Sequence, residues 1–154
     1  MTTKTKELIN EILVELFNYI LMIEDDYLSE RGVKLTMNEV HVLEAIQKSE
    51  VTTMKEVSQR LNVTQGTLTT SINRLVDKGY AKKYKIVDDK RKTLLGLTME
   101  GQAIVEIHND FHRNMIEKLT EDYKLEEQIV LLESLYKLKS FFYNMQEPAD
   151  ENSN

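Results

Sequence analysis

Between residues 52 and 92 the chain gathers ten Lys/Arg (Lys55, Arg60, Arg74, Lys78, Lys82, Lys83, Lys85, Lys90, Arg91 and Lys92) against four acids (Glu56, Asp77, Asp88 and Asp89). That is a local charge of +6 within 154 residues whose net charge is −6, so the remainder carries −12. Cations concentrated on one stretch of an acidic protein suit the neutralisation of phosphates, because each neutralised phosphate releases condensed counterions. Net charge governs solubility and steering, whereas its distribution decides what one face binds. Inside the island, Thr64, Gln65, Gly66, Thr67, Thr69, Thr70 and Asn73 form a nearly uncharged run ahead of Arg74. Amides and hydroxyls of this kind can hydrogen-bond base edges, and threonine methyls can meet the methyl of thymine. Taken alone, such a face is equally well read as solvated surface.

Other chemistry is poorly supplied. His108 and His112 stand at i, i+4, a spacing used for metal binding, but the segment His-Asn-Asp-Phe-His lacks the glutamate that a zinc protease needs after its first histidine. His41 is the remaining histidine, so a three-histidine site requires the second helix to meet the fifth. The expectation is a packed or dimer-facing histidine pair, with no metal and no cofactor. No nucleophile has an evident base, and there is no glycine-rich phosphate loop. Glu24, Asp25 and Asp26 are adjacent and fan around a helix, so no enzyme is expected. The absence of cysteine excludes disulfides, thiolate zinc sites and a cysteine nucleophile. Glu7, Glu11 and Glu15 interrupt any apolar run at the start, and no stretch reaches the length of a membrane span. A cytoplasmic protein without a membrane partner is expected.

The elements that must position the basic stretch can be read from period and punctuation. One proline and five glycines in the whole chain favour long helices. Over 5–28, Leu8, Ile9, Ile12, Leu13, Leu16, Phe17, Ile20 and Leu21 recur at steps of three and four, which predicts one amphipathic helix. Thr36 with Glu39 has the form of a capping box opening a helix to about residue 48. Thr52 or Thr53 can cap a third helix, and Thr64 a fourth that Gly79 ends. Two short helices joined by the turn 62–64 are the signature of a helix-turn-helix. In the fourth helix Leu68, Ile72, Leu75 and Val76 fall on the core side, leaving the threonine-rich run outward. Residues 80–87 and 93–97 read as strands around the polar turn 88–92, a hairpin wing with a charged tip. Two further helices follow, from Thr98 and from about residue 125. The run Ile129 to Leu132 is apolar on more than one side, which calls for a partner chain. The fold class is therefore mainly α with a small β-hairpin wing. Residues 1–35 and 100–146 are assigned to a helical dimerisation region, 36–99 to a winged helix-turn-helix lobe and 147–154 to a disordered tail.

In this arrangement the fourth helix is the recognition helix, whose N-terminal residues meet base edges in the major groove. A narrow A·T-rich minor groove attracts an inserted arginine, the role assigned to Arg91, with Asp89 orienting it and Lys90 and Lys92 beside it. Lys82, Lys83 and Lys85 on the strand would meet phosphates. The sequence Asp89 to Gly101, D-K-R-K-T-L-L-G-L-T-M-E-G, resembles the MarR family of bacterial winged-helix regulators, marked by Asp-x-Arg in the wing and then Leu-Thr-x-x-Gly. The resemblance runs from about residue 7 to 145. It implies a homodimeric repressor on pseudo-palindromic double-stranded DNA, here expected to be A·T-rich. Within the family, FNYILMIEDDYL, Glu39 with His41, VTQGTLTTSINRLVDKGY and HNDFHRNM are similar to the fatty-acid-synthesis repressors of Gram-positive bacteria. That similarity implies long-chain acyl-acyl-carrier-protein as corepressor, with Met22, Val40 and Phe111 as candidate ligand-binding residues. The alternatives are a regulator sensing a small aromatic or other hydrophobic molecule, and a helical protein-interaction module without specific DNA binding.

Overall fold

Among the described residues, the periods and caps legible in the sequence are realised as six helices and one hairpin. In chain order these are α1 (Thr3–Glu30), α2 (Met37–Lys48), α3 (Met54–Leu61), α4 (Gln65–Asp77), β1 (Ala81–Lys85), β2 (Thr93–Leu97), α5 (Met99–Tyr123) and α6 (Ile129–Met145). The computed structural model describes residues 2–85, 92–124 and 127–145. The hairpin tip with Asp89, Lys90 and Arg91, and the tail 147–154, lie outside the described residues. No described helix is long and apolar enough to cross a membrane.

Threonine caps most of the helix starts. The Thr36 hydroxyl accepts the Glu39 N–H at 3.3 Å while the Glu39 carboxylate accepts the Thr36 N–H at 2.9 Å, completing the capping box. Thr53, Thr64 and Thr98 accept the N–H groups of Glu56, Thr67 and Gly101. Each cap satisfies a donor that the first turn leaves without a helical partner. At the other end of α4, Gly79 has φ +82° and the Tyr80 N–H reaches back to the Leu75 carbonyl at 2.8 Å. That closure needs a left-handed residue, which glycine adopts without a Cβ clash. Asn62, at φ +54°, turns the chain between α3 and α4.

The core collects Val40, Leu43 and Ile46 of α2, Val57 of α3, Leu68, Ile72 and Leu75 of α4, Leu95 of β2 and Val105 of α5. These are the positions that helical spacing predicts, with Met37, Met54, Leu61 and Val76 packed at the margin. β1 and β2 pair antiparallel from Ala81 opposite Leu97 to Lys85 opposite Thr93. One tie is absent from the sequence pattern: the Leu95 N–H donates to the Thr52 carbonyl at 2.8 Å, and Thr53 bridges to Leu94. The wing is thereby fastened to the entrance of α3 as well as to α4.

Two contacts fix α4 at its C-terminal end. Lys78 Nζ donates to Glu39 Oε1 at 2.7 Å, joining α4 to the capping box of α2. Burial pushes the Glu39 carboxyl up, but the hydrogen bonds from Lys78 and the Thr36 backbone, with the charge of Lys78, outweigh it and hold the carboxyl below its usual range. The second contact is the start of α5. The Thr98 hydroxyl donates to the Gly79 carbonyl at 2.7 Å, and the Thr98 N–H donates to the Tyr80 carbonyl at 3.2 Å. A Cβ on Gly101 would lie 2.0 Å from that same Tyr80 oxygen. Leu-Thr-x-x-Gly is thus the local recipe for setting one helix start against the end of another.

Gly101→Ala gives a test of sign. Helix propensity alone favours alanine by about 1 kcal/mol, whereas the backbone clash should reverse this into a net loss of about 1–3 kcal/mol in urea denaturation. A stabilised variant would show that the close approach does not matter. For Glu39→Gln a loss of about 1 kcal/mol at pH 7 is expected, given the cap and a partly exposed ion pair. Because the folded carboxyl is depressed, its contribution is complete above the ordinary value of 4.5 and fades as pH falls through the lower folded value. The gap between the two proteins should therefore narrow below pH 4.5; a constant gap would assign the effect to shape alone.

Candidate nucleic-acid interface

The face of α4 opposite Leu68, Ile72 and Leu75 carries Gln65, Gly66, Thr67, Thr69, Thr70, Asn73 and Arg74, all exposed, with Thr64 at its entry. This is the set expected from the sequence, now on one surface. Its hydroxyls are not loose. Thr69 Oγ1 donates to the Gln65 carbonyl at 2.7 Å and Thr70 Oγ1 to the Gly66 carbonyl at 3.3 Å, while the hydroxyls of Thr64 and Thr67 lie 2.9 Å apart. Back-bonding of this kind turns the hydroxyl proton toward the helix. What Thr69 and Thr70 offer outward is a methyl and an oxygen lone pair. Such a surface accepts from amino groups and meets thymine methyls.

Gly66 is not demanded by the fold. A Cβ there would meet only Thr64 Oγ1, at the ordinary contact distance of 3.8 Å. Its bareness leaves the backbone of the first turn of α4 open to close approach from outside.

The strand lysines divide. Side chains alternate across a strand, so Lys83 and Lys85 share one side of β1 and Lys82 takes the other. Lys83 Nζ donates to Asn73 Oδ1 at 2.5 Å, and Lys85 Nζ to Thr93 Oγ1 at 2.7 Å. Lys82 instead borders a depression with Tyr84, Gly96 and Leu97. The three strand lysines therefore form two rows. Asn73 is oriented by its lysine: with Oδ1 engaged, its Nδ2 donors point elsewhere. Lys92, exposed, stands just before β2, while Asp89, Lys90 and Arg91 fall outside the described residues.

The three candidate ligand-binding residues do not behave alike. Val40 and Phe111 are buried, and Phe111 packs on Tyr27 with ring centroids 5.4 Å apart, whereas Met22 is 53% exposed. Two open depressions, one on the hairpin and one where Tyr143 nears Glu56, Arg60 and Asn62, are lined by none of them.

The histidines are where the structure departs most from the expected packed pair. α2 does meet α5, and His41, His108 and His112 gather around the carboxylate of Glu24, which is 2% exposed. Sequence reasoning grouped Glu24 with Asp25 and Asp26 as acids that fan around the helix without converging. The missed signal was periodicity, since Glu24 lies one turn from Ile20 and from the buried Leu28. Burial of His108 disfavours its cation more than the nearby Glu44 and Glu24 carboxylates favour it, so its imidazole titrates below the usual range.

Residues 35–93 match the sequence profile of the MarR family. The chain is 33% identical to Streptococcus pneumoniae FabT in its crystal structure with DNA, with a TM-score of 0.81 over 92% of this chain and 99% of that one. It is 26% identical over 112 residues to the HTH-type transcriptional regulator YhjH of Bacillus subtilis, where it spans 64% of the relative's length. To the multiple antibiotic resistance protein MarR of Escherichia coli it is 32% identical over 142 residues, covering 86% of this chain and 95% of that protein. With the winged helix-turn-helix fold and this likeness along nearly the whole of both chains, the protein belongs to the MarR family of transcription regulators.

Proposed function

We propose that the protein is a homodimeric repressor that binds double-stranded DNA through α4 and the wing. The observation that carries this reading is the exposed, ordered set of Gln65, Thr67, Thr69, Thr70 and Asn73 on α4, flanked by the lysines of β1, in a family whose FabT member has been crystallised with DNA. Two copies of α4 about one helical turn of DNA apart would enter successive major grooves of a pseudo-palindromic site. Arg91, with Asp89, Lys90 and Lys92 around it, is assigned to an A·T-rich minor groove, and Lys83 and Lys85 to phosphates.

Dimerisation is supported by what one chain leaves uncovered. Phe17, Ile116, Leu135 and Phe141 are all about half exposed or more, and so are many of their apolar neighbours on α1 and α6. Apolar surface of this extent marks an interaction face, and a second copy of the same face closes it with two-fold symmetry. We accordingly assign 1–35 and 100–146 to dimerisation and 36–99 to the DNA-binding lobe. For the regulated process we favour fatty-acid synthesis, with long-chain acyl-acyl-carrier-protein as corepressor. Support comes from the α1, α4 and α5 segments named above and from the similarity to FabT.

Genome-wide mapping of bound DNA, followed by gel shifts on the aligned sites at two salt concentrations, tests the reading. Specific binding at least about a thousandfold above random duplex, with a steep salt slope, is expected; binding indifferent to sequence would favour the protein-interaction alternative. Acyl-acyl-carrier-protein should tighten the complex. If only small aromatic acids shift the affinity, the corepressor assignment falls while DNA binding stands.

Gly66→Ala should split stability from function. The variant is expected to gain up to about 1 kcal/mol in thermal or urea unfolding, since the new methyl makes only an ordinary contact with Thr64 Oγ1 in a helix, yet to bind operator at least several-fold more weakly. Equal binding by both proteins would mean that no DNA group approaches the first turn of α4.

A further inference from the structure

Four side-chain donors on three helices converge at one point. Glu24 Oε1 on α1 lies 2.5 Å from His108 Nε2 and 3.0 Å from His112 Nε2, both on α5, and 3.8 Å from His41 Nε2 on α2. The Nε2 atoms of His108 and His112 are 3.2 Å apart. Every histidine in the chain is therefore present, each aiming the same ring atom at one carboxylate oxygen.

Protons alone fit this geometry only by neutralising the buried Glu24 carboxylate or by charging the buried His108 ring. If His108 carries its proton on Nε2 and donates to Glu24, its buried Nδ1 is a bare acceptor without a hydrogen bond, 3.6 Å from the Glu44 carboxylate. With the proton on Nδ1 instead, Glu44 gains a donor, but the Nε2 lone pair then faces the Glu24 oxygen directly unless that carboxyl carries a proton. The doubly protonated ring satisfies both sides by placing a cation on a side chain 1% exposed. A cation among the Nε2 atoms removes the conflict: Nδ1–H turns to Glu44, a second-sphere carboxylate of the kind that orients metal-bound imidazoles, and Nε2 becomes a ligand.

We propose that Glu24, His41, His108 and His112 form a binding site for a single divalent transition-metal ion of the zinc class. Three imidazole nitrogens and one carboxylate suit zinc, whose bonds of about 2.0–2.1 Å in a tetrahedron place ligand atoms about 3.3 Å apart. The three distances to Glu24 and the one between His108 and His112 run from 2.5 to 3.8 Å and bracket that value; the donor atoms of Glu24, His41 and His108 all lie within 4.8 Å of one another, and His112 adjoins this trio through Glu24 and His108. Four protein ligands close the coordination sphere, as in structural and regulatory sites rather than catalytic ones. The ion would clamp α2, which leads into the DNA-binding lobe, to α1 and α5 of the scaffold.

The test uses the full chain and Zn²⁺ alone. After dialysis against a weak chelator, close to one zinc per chain should remain, the unfolding midpoint should rise by several degrees, and Co²⁺ should give the intense visible bands of a tetrahedral site. His112→Ala and His41→Ala alter partly exposed side chains, so each should keep wild-type helicity while losing the retained zinc and the shift. No zinc retained by the wild type above the level of His112→Ala, or an unfolding midpoint indifferent to excess Zn²⁺, would reduce the cluster to hydrogen-bonded packing. Coupling to DNA rests on the function proposed above and is read separately, as the ratio of operator affinities in zinc and in chelator, with about a tenfold change expected. A ratio of one would remove the coupling and leave the site. Failure to bind any operator in either condition would instead count against the DNA-binding reading.

Discussion

The placement of Thr98 against the Gly79–Tyr80 corner governs the geometry of the molecule. One hydroxyl accepts from Gly101 and donates to Gly79, which commits it to a single rotamer, and the missing Cβ at Gly101 lets the first turn of α5 lie on the Tyr80 carbonyl. The Glu39–Lys78 pair and the Lys83–Asn73 bond grip the same C-terminal half of α4. Its first turn, with Gln65 and Gly66, stands out from these restraints. Leu68, Ile72 and Leu75 seat the same helix in the core along its length, so α4 and the elements packed on it turn together. Over the roughly 20 Å of a 13-residue helix, a turn of about 10° displaces one end by about 3 Å.

Charge is unevenly placed along this helix and its neighbouring strand. The lysines of β1 sit beside the C-terminal half of α4, where an exposed cation acts over roughly one Debye length and is largely screened beyond it. The N-terminal half is nearly neutral, so its contacts depend on matched donors and acceptors rather than on field. The back-bonded hydroxyls of Thr69 and Thr70 fix which atoms are offered. Asn73 joins the two regimes, since a lysine of the wing strand sets the orientation of an amide on the reading face.

Much of this was legible in the sequence because it is local. The caps at Thr36, Thr53, Thr64 and Thr98, the stop at Gly79 and the core stripe Leu68, Ile72 and Leu75 each involve residues within a few positions of one another, where period and capping chemistry apply directly. The contacts that orient the elements were not legible. Lys78 meets Glu39 across 39 positions and His108 meets Glu24 across 84, and no spacing rule reaches so far. Glu24 also misled by its neighbours: Asp25 and Asp26 are exposed, whereas position 24 shares the stripe of Leu28. Arg91 was placed by its motif, and its residues lie outside those described.

Glu24 also bears on how a signal could reach the reading face. A buried charge is costly unless it is met, and among the described residues the side chains set against the Glu24 carboxylate are histidines, from α2 and α5. The packing of α1 and α5 on the lobe thus depends on what the imidazole Nε2 atoms hold. A ligand seated in the hairpin depression touches β1 and β2 alone and has no direct purchase on the scaffold. Whatever occupies the Glu24 cluster touches scaffold and lobe together, and can shift their relative angle by as much as its affinity differs between the two arrangements.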